Sequence, residues 1–262
     1  MTACAPNLAY AWRVLTTGIT FLLFLAGGTI LTMTALPVIL AFSRTEEQKQ
    51  RLARALIHRT FKLLMAYLQR MTLIGSFKVE GLDQLHSTKG KIFVANHPTL
   101  MDVVAILTCL PDCQCLVKAS LLRRFYIGGL MRAAGYLGND HPEQVLANGG
   151  RILRDGRSLL IFPEGTRSPL GGLHSFSRSA AQIALRLRAP IVPIVVTCEP
   201  ATLSKHEPWY AIPERPPDFR LCVLPQLPIP PAGLNQKALP LQARALTMHL
   251  EQVFQARLKL SA

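Results

Sequence analysis

Ile92-Phe93-Val94-Ala95-Asn96-His97-Pro98-Thr99-Leu100-Met101-Asp102 is the stretch on which the reading of this chain turns. Four apolar residues in a row, stopped by Asn-His-Pro, read as a short strand buried on both faces. On one continuous helix His97 and Asp102 would point about 140° apart, because each residue turns about 100°. The spacing therefore predicts His97 at the strand's end and Asp102 in the first turn of a helix running from Thr99 to about Leu110. Thr99 is the expected N-cap, with Asp102 three positions on as in a capping box. That turn lets the carboxylate reach one imidazole nitrogen, fix the tautomer and stabilise an imidazolium. The other nitrogen is then free to take a proton from a hydroxyl, a role worth roughly 10²–10⁴ in rate.

A second apolar run, Ser158 to Phe162, leads into Pro163-Glu164-Gly165-Thr166-Arg167-Ser168. Pro163 stops the strand, and Gly165 allows backbone angles closed to other residues. Arg167 offers a planar fork for phosphate or carboxylate. Amides near Gly165 are candidates to face a developing oxyanion. Taken alone, each segment has a plain structural explanation: a helix-cap carboxylate beside a loop histidine, and a surface turn with an ion pair. Both together, each after a buried strand, are far more specific.

Further strands are expected at Phe77–Glu80, Cys113–Lys118, Ile191–Thr197 and Phe219–Leu224. Helices are expected at Pro142–Arg154, Ser177–Arg188 and Leu241–Leu258. The alternation predicts an α/β fold: a layered, mixed and partly parallel sheet flanked by helices. The Pro-rich stretch from Pro208 to Pro231 reads as extended loop and strand edge.

Residues Val14 to Ser43 carry no charge over a length of 30 residues, where about 20 suffice to cross a bilayer. Gly27-Gly28 and Pro37 are expected to interrupt this run. It reads as a membrane anchor, either one tilted span or a hairpin in one leaflet; a signal peptide fits less well, since the run is long and ends without a small-residue cleavage site. Arg44 to Arg70 interleaves basic and apolar residues as an amphipathic helix, suited to lipid headgroups or to packing with a solvated basic face. Lys and Arg after the apolar run place the α/β portion of the chain on the cytoplasmic side of the inner membrane. The division is thus 1–72 for anchor and basic helix, and 73–262 for the α/β domain.

The chain has 29 Lys and Arg against 15 Asp and Glu, a net charge of +14, yet is 50% hydrophobic. A basic but apolar chain points to an anionic membrane surface. Aromatics are only 7% and the basic residues are scattered, which argues against nucleic acid. Cys109, Cys113 and Cys115 cluster, but no second Cys pair or His–Cys set completes a tetrahedral metal site. These three, with Cys4, Cys198 and Cys222, read as free thiols in a reducing compartment. Lys118, Arg123, Arg124 and Arg132 form a basic run, suited to CoA phosphates, an acidic carrier protein or headgroups, or else to a solvated helix face.

The Asn-His-x4-Asp segment at Asn96–Asp102 and the Phe-Pro-Glu-Gly-Thr-Arg-Ser segment at Phe162–Ser168, in this order, resemble the glycerolipid acyltransferase superfamily, in particular bacterial lysophosphatidic acid acyltransferases. Val79–Gly81 and Pro190-Ile191-Val192-Pro193 fit as well, so the resemblance runs from about Phe77 to Thr197. It implies acyl transfer from a thioester, carried by CoA or acyl carrier protein, to a hydroxyl of a membrane lipid. His97 is then the base and Asp102 its orienter. Glu164, Gly165, Thr166 and Arg167 bind the acceptor, Arg167 on its phosphate. Attack is direct, with no acyl-enzyme, no metal and no organic cofactor. One departure bears on the acceptor: the family usually ends a Gly-rich strand between the two motifs with an arginine that also contacts the acceptor phosphate, and Gly135–Asp140 has none, though Arg132 lies just before, placed to compensate. A lysophospholipid is the first acceptor to expect. A glycolipid, aminolipid or other lipid alcohol, thioester hydrolysis, and lipid binding without catalysis are the alternatives.

Overall fold

The computed structural model describes residues 8–86, 90–229 and 239–260. Cys4 and the end of the Pro-rich stretch at Pro231 lie outside the described residues. Seven strands form one sheet in the order β1-β7-β6-β2-β5-β3-β4. These are β1 (Phe77–Glu80), β2 (Ile92–Ala95), β3 (Cys113–Val117), β4 (Leu137–Gly138), β5 (Ser158–Ile161), β6 (Ile191–Glu199) and β7 (Asp218–Val223). The only antiparallel pair among them is β6 with β7; β2 is flanked in parallel by β5 and β6, and β5 by β3.

The apolar runs explain the centre of the sheet. All four residues of β2 and of β5 are buried, as parallel strands covered on both faces must be. Alternate residues go to opposite layers. Phe93, Ala95, Leu160, Val192 and Ile194 pack on one side, with Ala53, Ile57 and Leu130. Ile92, Val94, Leu159, Ile161 and Ile191 pack on the other, with Ile183, Leu250 and Phe254.

The helices are α1 (Leu8–Phe42), α2 (Glu46–Arg70), α3 (Leu82–His86), α4 (Asp102–Leu107), α5 (Ala119–Leu122), α6 (Gly128–Ala133), α7 (Pro142–Arg154), α8 (Ser179–Leu187) and α9 (Leu239–Lys259). α1 is unbroken across Gly27, Gly28 and Pro37, contrary to the expected interruptions. Gly28 is a point of close approach: a Cβ there would lie 2.9 Å from the Tyr126 carbonyl, and Thr32 donates to the same oxygen at 3.1 Å. At the other end, the buried Arg13 donates through Nη1 to Pro213 O at 2.9 Å and through Nη2 to Glu214 O. α1 is long and apolar enough to cross a membrane.

α2 is part of the core. Thr45 caps its start by accepting from the Gln48 amide at 3.1 Å. Ala53, Ile57, Met65 and Leu68 are buried against the sheet layer. Arg54, only 3% exposed, donates from Nε to Asp112 at 2.6 Å and from Nη1 to the Ala134 carbonyl at 3.1 Å. A basic residue of the supposed headgroup helix thus clamps it to the domain.

Candidate active site

β2, β5, β3, β4 and β6 run the same way, so the segments that leave their C-terminal ends meet along one edge. His97 leaves β2 and the Phe162–Ser168 segment leaves β5 there. Asn96 fixes the exit: its side-chain amide donates to Val196 O at 2.9 Å and its Oδ1 accepts from Val196 N at 2.7 Å. The side chain continues the ladder to β6 where the backbone turns away.

His97 Nδ1 lies 2.8 Å from Asp102 Oδ2. Asp102 is fully buried. Its Oδ2 also accepts from the Thr99 amide at 2.8 Å, and its Oδ1 from the Thr99 hydroxyl at 2.8 Å. Burial pushes the Asp102 carboxyl above its ordinary range, against the opposing effect of the His97 and Thr99 hydrogen bonds. The sequence places the pair correctly but not Thr99. α4 begins at Asp102 with Met101 in the cap position and without a side-chain cap bond. Thr99 instead closes the turn before the helix, accepting from the Met101 amide at 2.9 Å. Its task is to hold the carboxylate. The Phe162 ring, 4.7 Å from the imidazole centroid to centroid, covers one side of His97 and leaves Nε2 for a reaction partner.

The second loop departs further from expectation. Glu164 is buried, and both its oxygens are engaged within the protein. Oε1 accepts from the His97 amide at 3.1 Å and from the Ser168 hydroxyl; Oε2 accepts from the His174 amide at 2.8 Å. Ser168 N donates to His97 O at 2.7 Å. Glu164 and Ser168 therefore stitch the two motif loops together, and Ser168 is a site residue whose role the sequence reading missed. Gly165 has φ +65°, as its residue type allows, but its amide donates to Phe162 O at 3.2 Å and closes the turn. It is not the amide left for an oxyanion.

Thr166 is half-buried in the same loop. Arg167 donates from Nη1 to Leu203 O at 2.7 Å and to Ser204 O at 2.9 Å. One nitrogen thus anchors the guanidinium to the segment leaving β6, and no ion pair joins it to Glu164 among the described residues. Gly135–Asp140 carries no arginine; Asn139 within it accepts from the Ala119 amide through Oδ1 at 3.2 Å.

An apolar cavity of about 160 Å³ lies between α1, α2 and the turn that follows His97. Phe21 and Phe24 of α1, Leu64 and Leu68 of α2, and Met101 and Val104 by the histidine turn line it. Cys109, Cys113, Cys115, Cys198 and Cys222 are free. Burial pushes the Cys115 thiol up to about 12 and raises those of Cys109, Cys113 and Cys198, so none of these four is a ready nucleophile.

The acyltransferase family profile matches residues 76–197. The chain is 29% identical over 126 residues to human 1-acyl-sn-glycerol-3-phosphate acyltransferase beta, covering 45% of each protein. It is 26% identical over 231 residues to the mouse alpha enzyme, covering 86% of this chain and 76% of that one. In fold it is similar to the crystal structure of the 1-acyl-sn-glycerophosphate acyltransferase PlsC of Thermotoga maritima, with a TM-score of 0.71, 20% identity and coverage of 95% and 98% of the two chains. The acyltransferase family match falls on the same stretch that laces the two motif loops across one sheet edge, so residues 76–197 are what this chain shares in pattern with the acyltransferases named above.

Proposed function

We propose that this enzyme moves a fatty acyl group from a thioester of CoA or acyl carrier protein to a hydroxyl of a lysophospholipid such as lysophosphatidic acid. The observation that carries the reading is the 2.8 Å contact between His97 Nδ1 and a buried, doubly held Asp102. With Nδ1 committed, Nε2 accepts the acceptor's hydroxyl proton as its oxygen attacks the thioester carbon. The tetrahedral intermediate collapses with cleavage of the C–S bond, and the departing thiolate takes the proton back from His97. The ester and the free thiol balance the reaction. Asp102 stabilises the transient imidazolium. Arg167, held by Nη1, presents the rest of its fork to the acceptor phosphate, while Glu164 and Ser168 fix the backbone of His97. The apolar cavity takes an acyl chain.

Membrane association follows from α1. Its contacts with the domain run from Arg13 to Leu36, about 35 Å at 1.5 Å per residue. A spanning α1 would draw the charged flank of the α/β domain into a hydrocarbon layer about 30 Å thick. We therefore place α1 in one leaflet, with its outward Leu22, Leu23, Ile30 and Met33 in lipid, and the domain on the cytoplasmic face of the inner membrane.

The test is thiol release from palmitoyl-CoA by detergent-purified protein, with and without lysophosphatidic acid, beside His97→Ala. Release that needs both the acceptor and His97 supports the proposal. Release without acceptor makes the protein a hydrolase, and full activity in His97→Ala refutes the mechanism.

A further inference from the structure

Two aromatic pairs take no part in the catalytic machinery. Trp209 and Tyr210, on the segment between β6 and β7, have ring centroids 5.7 Å apart and meet edge to face. Phe125 and Tyr126, between α5 and α6, lie 5.3 Å apart in the same geometry. Trp209, Tyr210 and Phe125 are exposed. Neither the indole nitrogen of Trp209 nor the hydroxyl of Tyr210 has a hydrogen-bond partner among the described residues.

α1 holds both pairs. Arg13 binds the Pro213 and Glu214 carbonyls just beyond Trp209 and Tyr210, and Thr32 donates to the Tyr126 carbonyl at 3.1 Å. The Trp209 ring lies 6.2 Å from that of Phe21, centroid to centroid. A Cβ at Gly18 would come within 3.2 Å of its outer edge, so the glycine gives the indole room. Gly18, Phe21, Gly28 and Thr32 follow one another at intervals of three, seven and four residues, which places them on one stripe of the helix. Gly18 and Gly28 are about 15 Å apart along the axis. Leu22 and Leu25, one turn beyond Gly18 and Phe21, are exposed. The two pairs thus lie along the border between the packed and the outward face of α1.

Their chemistry names what covers them. Trp and Tyr join an apolar ring to one polar atom and collect where hydrocarbon meets headgroups. The surface is continuous with the outward Leu22, Leu23, Ile30 and Met33, already placed in lipid. Arg124, exposed beside Phe125 and without an ion pair among the described residues, suits anionic headgroups. Phe21 belongs both to the Trp209 contact and to the wall of the apolar cavity.

We propose that Trp209–Tyr210 and Phe125–Tyr126 form an aromatic belt that enters the headgroup layer of an anionic bilayer and fixes the angle at which the domain sits on it. The belt presupposes the one-leaflet placement of α1. A helix lying in the membrane plane can turn about its own axis; two contacts about 15 Å apart on one flank stop that rotation and keep the cavity toward lipid.

The chain has two tryptophans, so Trp12→Phe leaves Trp209 as sole reporter. Trp209→Phe leaves Trp12, exposed on α1. Each full-length variant is reconstituted into vesicles of phosphatidylcholine and phosphatidylglycerol, with lipids brominated near the carbonyl or near the chain end. Trp209 fluorescence is expected to be quenched more by bromine near the carbonyl. Quenching of Trp12 with Trp209 untouched by either lipid overturns the belt and leaves α1 in the membrane. Absence of quenching at both tryptophans overturns the belt and the placement of α1 together, as does Trp209 quenched best from the chain end. Quenching needs no catalysis, so it decides the belt whether or not acyl transfer occurs. A second measurement uses Phe125→Ala/Tyr210→Ala. Its kcat/KM for lysophosphatidic acid should fall about tenfold in vesicles and less than about twofold in detergent micelles. An equal fall in both, or an unchanged rate in vesicles, overturns the orienting role.

Discussion

Asp102→Asn tests the catalytic pair more sharply than removal of His97, because the geometry dictates how the amide must sit. Oδ2 receives two hydrogen bonds, from the Thr99 amide and from His97 Nδ1. The backbone amide can only donate, so the asparagine oxygen must take the Oδ2 position. The NH2 group then faces the Thr99 hydroxyl, which can turn to accept. His97 keeps its tautomer and its hydrogen bond, and the change removes one charge. Two unit charges about 4 Å apart interact by about 4 kcal/mol at an effective dielectric of about 20, and each 1.36 kcal/mol is about a factor of ten in rate. We expect kcat to fall about 10³-fold. Stability should move the other way. A carboxyl whose folded pKa is raised contributes stability that is present below its unfolded value and lost as pH rises through the folded value. Asparagine removes that loss, so the variant should gain stability relative to wild type as pH rises above the ordinary aspartate value of about 4. Single-turnover thiol release and denaturant unfolding over a pH series measure both. A variant that keeps more than a tenth of kcat, or that loses ground in stability as pH rises, refutes the reasoning.

Glu164→Gln places an amide donor against one of three donors now satisfied, from His97, Ser168 and His174. It should lower kcat at least tenfold while shifting the acceptor KM less than about twofold, the pattern of a positioning residue; a steady-state kcat and KM split decides this. Arg167→Lys cannot both hold the Leu203 and Ser204 carbonyls and present a fork. Titration of both substrates should show kcat/KM for lysophosphatidic acid falling far more than that for the donor. Arg54→Ala strands the Ala134 carbonyl and unclamps α2 from Asp112. It should cost about 2–3 kcal/mol, read as a lower thermal midpoint and faster proteolysis around α2.

What the sequence made legible was whatever depends on local pattern. Unbroken apolar runs placed β2 and β5 in the sheet's centre, and a five-residue spacing put His97 and Asp102 on either side of one turn. The misreadings share a physical cause. Glu164 looked like a ligand-binding carboxylate because its partners are a backbone amide 67 positions back, a serine and another amide, none of which leaves a composition signal. Gly27 and Gly28 looked like breaks because glycine both frees a chain and lets another backbone approach; only the Tyr126 carbonyl beside Gly28 tells which. α2 left two readings open, a headgroup helix or a packing helix with a solvated basic face, because the buried bond of Arg54 to Asp112 is visible only once α2 and the lead-in to β3 are brought together. β4, two residues long, owes its existence to its pairing with β3.

The departure at Gly135–Asp140 acquires a structural meaning from the same geometry. An arginine at the end of β4 would carry its charge on the strand itself. Here Asn139 spends its oxygen on the Ala119 amide and so sets the start of α5. α5 ends beside Arg123, and α6 carries Arg132 in its last turn. The charge is thus delivered to the mouth of β4 from the neighbouring helices instead of from the strand. With Arg167 anchored beyond β6, cationic groups flank His97 on both sides of the edge.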